Sequence, residues 1–539
     1  MAFNHLNRTN ASVDAIVIGA GIAGLYLVQR LKEMGSTFKV FEAGKDLGGT
    51  WFWNRYPGAR FDSESYSYGY SWSQELLDEW EWSEHFAGQP ETLKYLNYVA
   101  DKFELRENII FNSRVASCHY FEAENRWAIK TNNGETAYAK FLIFATGVLS
   151  EPYIPDFKGR DLYKGLSWHT SNWPDTPVGL ADKKVGVIGT GATAVQLITE
   201  ISKNIGSLTV FQRTANYCKP LRNGPIKSEE QEQIRSEYQK IFEKCNSTAG
   251  GFIHDFDSRS IFEVSPKERY DFFDKKWKEK GFGFWLGNYN DIMTDAKANE
   301  IVAEFVREKI QARIKDPDVA YSLTPTDHPF GSKRVPLESG YYESYNRENV
   351  ELVDLKTNPI KEFTNKGVLT AQQEYEFDLI IFATGFDAVT GAMDKIDIRG
   401  VQNRSLKEKW RDGPRTFLGL TTAGFPNMFI TGGPHNAASF CNVPRCLEYN
   451  VEWITDCILF LKEHGYSKLD ATADAESEWT RNVLEGADAT LLTDAKSWFM
   501  GSNIPNKKRV FLNYINGIPA FQSECNKVAS EKYRMFNLS

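Results

Sequence analysis

Two stretches of this chain run an apolar segment into a glycine turn and then into a helical pattern. The first turn is Gly19-Ala20-Gly21-Ile22-Ala23-Gly24, and the second is Gly189-Thr190-Gly191-Ala192-Thr193-Ala194. In the first, the pattern predicts a buried strand from Asp14 to Gly19, a helix from Ile22 to about Met34, and a second strand ending at Glu42. Gly19 permits the tight turn, Gly21 lets backbone approach a pyrophosphate, and Gly24 lets helix lie close on strand. Free N–H groups at the helix start suit that pyrophosphate. Glu42, at the strand tip, is placed to grip ribose hydroxyls.

The second unit repeats this grammar: a strand over Lys184–Gly189, a helix from Ala192 to about Lys203, and a strand over Ser207–Phe211. Ala194 takes the place of the third glycine, and Gly191, Ala192 and Thr193 open the helix. The strand tip carries no acid but reads Gln212-Arg213-Thr214. A carboxylate there would repel a 2′-phosphate, whereas Arg213 can pair with one. The bland alternative, a solvated surface arginine, is weaker at a strand tip. Two dinucleotide sites imply a flavin that stays bound and a nicotinamide, NADPH, that reduces it.

The predicted fold is therefore α/β, with two Rossmann-like domains and a helical insertion. The FAD-binding domain is expected over 1–150 and 388–539, and the NADPH-binding domain over 151–225 and 317–387. The apolar runs FLIFATG, ending at Gly147, and LIIFATGFD, ending at Asp387, mark the crossings between them. Over 226–316 charged residues and helical periodicity dominate, as in SEEQEQIRSEYQKIFEK, which reads as the insertion.

Bulk properties narrow the class. A net charge of -8 gives no nucleic-acid footprint. No apolar run reaches membrane-spanning length, and the N-terminal sequence lacks a signal-peptide core. With seven scattered cysteines, the expectation is a cytoplasmic enzyme without a nucleic-acid or membrane partner. No His, Cys and carboxylate cluster has ligand spacing, so no metal is expected.

The stretch Gly48-Gly49-Thr50-Trp51-Phe52-Trp53-Asn54-Arg55-Tyr56-Pro57-Gly58-Ala59-Arg60-Phe61-Asp62 separates this chain from disulfide reductases. Those share the Gly-Gly-Thr start but then place a redox cysteine pair beside the flavin. Cys441 and Cys446 lie far along the chain and read as ordinary buried or loop thiols. Ahead of the second fingerprint stand Tyr163, Gly165, His169, Trp173 and Pro174. This pattern resembles the Phe-x-Gly-x3-His-x3-Trp-Pro/Asp signature of type I Baeyer–Villiger monooxygenases, with tyrosine for the leading phenylalanine. GSKRVP, ATGFDAVTG and SWFMGSNIPNKKR extend the resemblance across nearly the whole chain.

The resemblance implies an NADPH- and O2-dependent conversion of ketones to esters or lactones through a C4a-peroxyflavin and a Criegee adduct. Heteroatom oxygenation and uncoupled NADPH oxidation are the alternatives. It implies that Arg334 stabilises the oxyanions and that Asp62 holds it. FAD is expected to meet Gly49, Thr50, Trp51, Asp62 and Tyr68. Lys333 is expected to join Arg213 and Thr214 at the 2′-phosphate, and Trp498 to close over the nicotinamide. His169, Trp173 and Asp387 are assigned conformational roles, and Ala438, Ser439 and Phe440 are expected to face substrate. His435 and Asn436 depart from the family pattern in that last loop.

Overall fold

The computed structural model describes residues 12–439 and 441–539, so the expectation for Phe440 lies outside the described residues. Two sheets organise the chain. The larger, eight-stranded sheet runs Asp397–Arg399, Val115–Phe121, Arg126–Thr131, Thr136–Phe144, Ser12–Ile18, Phe38–Phe41 and Ile109–Ile110, and Met428–Ile430 also pairs with Thr136–Phe144. Ser12–Ile18 lies parallel to both neighbours, with Ile18 opposite Phe41 on one side and Phe144 on the other. The carboxyl ends of these strands therefore share one edge, the place where open α/β sheets bind ligands.

The second sheet is wholly parallel, in the order Val350–Asp354, Ser207–Gln212, Lys184–Ile188, Leu379–Phe382 and Leu166–His169. Its central strands are apolar on both faces and buried, as expected where helices cover a parallel sheet. The fingerprint helices span Ile22–Glu33 and Ala192–Ile201. Both turns need glycine for the same reason. Gly19 has φ +107°, and a Cβ there would lie 2.5 Å from the Ala145 carbonyl oxygen; Gly189 has φ +117°, with the Ala383 oxygen 2.3 Å away. Each turn thus presses against an Ala-Thr-Gly segment leaving a neighbouring strand.

The region read as an insertion contains the helices Ser228–Ser247, Pro266–Lys278 and Ala296–Gln311. It is not only a charged surface but part of the core. Phe273, Trp277, Val302 and Phe305 share one buried apolar cluster with Val195 and Ile198 of the second fingerprint helix. Phe282 belongs to the same cluster, and this packing brings it to the site below.

Candidate active site

Both fingerprints open into one cleft of about 1030 Å³ between the strand ends of the two sheets. Gly19, Gly21, Glu42, Gly49, Thr50, Trp51, Asp62, Tyr68, Gly189, Gly191, Ala192, Thr193, Arg213, Thr214, Lys333, Arg334, Ala438 and Trp498 all line it. Gly24 does not; it lies one helical turn in, where a Cβ would sit 2.0 Å from the Gly19 oxygen. His169, Trp173 and Asp387 also lie off the cleft wall.

The cleft floor is shaped for dinucleotides. A Cβ on Gly49, at φ +53°, would come 2.9 Å from the Gly21 Cα, so two bare backbones face each other across the first turn. At Gly191 a Cβ would meet nothing within 4 Å. Such exposed N–H groups at helix starts fit pyrophosphates. Glu42 accepts from the Ala20 N–H at 2.7 Å and the Gly44 N–H at 2.6 Å. Burial raises its carboxyl above the ordinary range, opposed by those N–H donors. Each oxygen keeps lone-pair capacity for a ribose hydroxyl.

At the second strand tip Arg213 is exposed, and among the described residues no carboxylate comes within ion-pair distance of it. Lys333 lies nearby; burial, Arg213 and Lys356 lower its ammonium pKa, while Asp327 opposes them. Two cations without enough counter-charge make a site for an anion.

Opposite the flavin turn, Arg334 Nη2 lies 3.3 Å from Asp62 Oδ2. The Asp62 side chain is 5% exposed and that of Arg334 37%, so the acid is the buried anchor and the guanidinium is the group offered to a ligand. Burial raises the Asp62 carboxyl pKa, and Arg334 is the main opposing influence. The Phe282 ring lies under the guanidinium, 4.6 Å from its carbon, a cation–π contact that restricts where the charge can go. Sequence reading missed Phe282, which stands in no motif.

Trp51 donates from its indole to the Tyr68 hydroxyl at 3.2 Å, and Tyr68 stacks on Phe61 with centroids 4.2 Å apart. The tryptophans after Gly-Gly-Thr thus build an aromatic wall where a disulfide reductase carries cysteines. Other wall residues missed from sequence are Arg114, Phe252, Val443, Leu447 and Asn503. Only Asn503 lay in a quoted motif, and only as a spacer.

His169 is buried, and its ring Nδ1 accepts from the Ser171 N–H at 3.1 Å. Nε2 therefore carries the proton and donates to the Gly385 oxygen at 2.9 Å. Burial lowers its pKa to about 4. A neutral histidine with both nitrogens engaged ties the signature loop to the Ala-Thr-Gly turn. Trp173 packs edge-to-face on Trp168 at 5.6 Å, and its carbonyl accepts from Arg55 of the flavin turn at 3.3 Å. Asp387 pairs with Lys507, in the segment that carries Trp498. In the loop before Ala438, buried His435 has φ +62°, and Asn436 Oδ1 accepts from the Ala438 N–H at 2.9 Å.

One expectation is corrected here. Cys441 and Cys446 are not separate thiols but are joined by a disulfide, because the turn into the helix Val443–Glu463 brings their side chains together.

The family model described as pyridine nucleotide-disulphide oxidoreductase matches residues 16–276. A 2-oxo-Δ3-4,5,5-trimethylcyclopentenylacetyl-CoA monooxygenase of Pseudomonas putida is 44% identical over 99% of this chain and 100% of its own length. A Baeyer–Villiger monooxygenase of Pseudooceanicola batsensis is 41% identical over 97% of this chain and 96% of its own length. A phenazine N-monooxygenase of Lysobacter antibioticus is 39% identical over 99% of this chain and 98% of its own. Among solved structures, the OTEMO complex with FAD and NADP superposes with a TM-score of 0.95 at 44% identity, over 98% of this chain and 100% of that one.

Proposed function

The chain belongs to the Baeyer–Villiger monooxygenases, and from that premise we propose how its residues divide the work. The protein is an FAD-containing, NADPH-dependent monooxygenase that uses O2 to convert ketones to esters or lactones. The flavin, once reduced by NADPH, supplies activated oxygen. The observation that carries our assignment of the centre is the Asp62–Arg334 pair on the wall of a cleft into which both fingerprints open.

Arg334 holds negative charge as it develops on oxygen at the ketone carbon. A guanidinium suits this because it stays protonated at any working pH and cannot discharge the oxyanion. Asp62 and Phe282 keep it in place, one from the side and one from beneath. In the FAD site, Gly19, Gly21, Gly49 and Thr50 offer backbone to the pyrophosphate, Glu42 takes ribose hydroxyls, and Trp51 and Tyr68 shape the wall. At the NADPH site, Gly189, Gly191, Ala192 and Thr193 serve the pyrophosphate, while Arg213, Thr214 and Lys333 bind the 2′-phosphate. Trp498 covers the nicotinamide side and excludes water. His169, Trp173 and Asp387 couple the sheets and touch no reacting atom. Ala438 and Ser439 are assigned to the substrate side.

We also propose the domain division 1–150 with 388–539 for FAD, 151–225 with 317–387 for NADPH, and 226–316 as insertion. It is supported by the first sheet drawing strands only from 12–144 and 397–430, and the second only from 166–382. A reducing, cytoplasmic setting is supported by five of the cysteines being unpaired thiols.

The test is to supply purified, FAD-loaded protein with NADPH, air and a panel of cyclic and aryl ketones. Products one oxygen heavier that alkali hydrolyses to an acid and an alcohol, or a hydroxy acid, support the assignment. NADPH loss yielding only hydrogen peroxide from every ketone argues against it. The phenazine N-monooxygenase relative favours a second reading, oxygen transfer to an aromatic ring nitrogen. Its product would be equally heavy but stable to alkali.

A further inference from the structure

The disulfide between Cys441 and Cys446 has no task in ketone oxygenation, yet its place in the fold is specific. Asn442 is the N-cap of the helix Val443–Glu463. Cys441 is thus the residue before the cap, and Cys446 the fourth residue of the helix. Side chains at these two positions meet across a helix start, as in the hydrophobic staple. Asn442 is itself held firmly. Its side-chain N–H groups reach the Ser67 carbonyl and the Ser67 hydroxyl, each at 3.1 Å, and its backbone N–H donates to the Gly250 oxygen at 2.8 Å. Those contacts do not involve sulfur. The backbone keeps the two cysteines adjacent whether or not they are bonded.

Cys441 also differs from every other cysteine in what it faces. It lines the cofactor cleft, and among the described residues no other cysteine does. Cys441 is 7% exposed, whereas Cys118, Cys218, Cys245, Cys457 and Cys525 are 0% exposed, and burial raises the pKa of each of those five thiols. A thiol reacts as its thiolate, so those five are poor nucleophiles. Cys446, 3% exposed and not on the cleft wall, takes the part of a resolving partner.

We propose that Cys441 and Cys446 form a reversible dithiol–disulfide couple, oxidised by hydrogen peroxide that enters through the cofactor cleft. The Cys441 thiolate attacks one peroxide oxygen and the O–O bond breaks. The departing hydroxide takes up the thiol's proton and leaves as water, with Cys441 as the sulfenic acid. The Cys446 sulfur then displaces the sulfenic hydroxyl, the S–S bond forms, and a second water carries off the Cys446 proton. The two sulfurs lose two electrons and the peroxide gains them. A dithiol reductant reverses the change by exchange. Oxidation then ties Cys441, on the cleft wall, to the first turn of the helix Val443–Glu463.

The test uses holoenzyme reduced with a dithiol, desalted, exposed to hydrogen peroxide, alkylated under denaturing conditions and digested. The peptide spanning both cysteines should lose two hydrogen atoms, resist alkylation and regain two alkylatable thiols after fresh reductant. The other five should stay alkylatable throughout. In Cys446→Ser, Cys441 should be trapped as the sulfenic acid by a cyclic β-diketone. A pair that stays fully alkylatable, or passes to sulfinic acid without a disulfide, overturns the proposal. So does a Cys446→Ser protein in which Cys441 is not trapped. None of these readings depends on ketone turnover, so they stand or fall apart from the oxygenase assignment.

Discussion

Lys507 and Asp387 form an ion pair that joins the segment carrying Trp498 to the Ala-Thr-Gly-Phe-Asp crossing at the end of the second sheet. Asn503 adds a second tie, donating to the Phe386 oxygen at 2.7 Å. The Lys507 and Asp387 side chains are 16% and 21% exposed, so the pair lies between the surface and fully buried cases. Its loss should weaken closure by ~1–3 kcal/mol. Asp387→Ala should raise the KM for NADPH and the fraction of NADPH that ends as hydrogen peroxide. Measuring peroxide against ester formed decides it. An unchanged ratio would remove Asp387 from the closure role.

Removing Arg334 takes away the fixed positive charge but neither glycine cradle. Arg334→Ala should still allow flavin reduction by NADPH while ester formation falls by roughly 2.7–4 kcal/mol in barrier terms, as for loss of an oxyanion donor. Stopped-flow reduction alongside product assay separates the two. Asp62→Asn, which keeps a side-chain oxygen facing Arg334, should cost less. Normal ester yield from Arg334→Ala would refute the assignment.

Among the described residues Arg213 has no carboxylate partner to release, so its substitution should act through the cofactor. Arg213→Ala should raise the KM for NADPH by a factor corresponding to ~1.5–3 kcal/mol, the range for a hydrogen bond to a charged group. The KM for NADH should scarcely move. Parallel loss with both cofactors would mean that Arg213 supports the fold and does not read the 2′-phosphate.

Three buried histidines make stability depend on pH. Burial lowers His169, His328 and His435 from 6.5 to about 4 each. Between those values the unfolded chain binds more protons than the folded one. Their contribution is present in full above pH 6.5 and is lost as pH falls toward 4, at ~1.4 kcal/mol per histidine for each pH step of one. Asp470 works in the opposite sense. Burial raises it from 3.8 to about 6, so the folded form holds its proton more tightly and offsets part of the loss below pH 6. Urea midpoints at pH 7, 6.5 and 5.5 should decline, with the fall beginning above the ordinary carboxylate range. A midpoint constant across that interval would show that the three rings are solvated.

The two βαβ units were legible because their signals are local. A strand needs a short apolar run, the turn needs glycine at Gly19 and Gly189, and the helix needs its periodicity, all within a few neighbouring residues. The strand-tip contrast between Glu42 and Arg213 was legible for the same reason. The insertion was legible as helix, but the narrow buried face that joins it to the second fingerprint helix was not, since it lies among the charges of its helices. Phe282 carried no signal, because an aromatic ring in a loop gains meaning only from what lies above it. Cys441 and Cys446 were legible as a spacing but not as a bonded pair, since five residues can separate or join two sulfurs according to where a helix begins.

The amino-acid sequence by itself determined the class of chemistry. Two glycine turns of nucleotide-cradle type, a cation at the second strand tip, and an arginine that cannot lose its proton are properties of residue type and short-range spacing. Only the tertiary structure decided which groups meet. Arg334 and Asp62 stand 272 positions apart, and Lys507 reaches Asp387 across 120. Contacts over such distances depend on the order of strands in the two sheets and on the packing that docks them. That packing is non-directional apolar burial summed over the whole core, which leaves no mark at the residues it brings together.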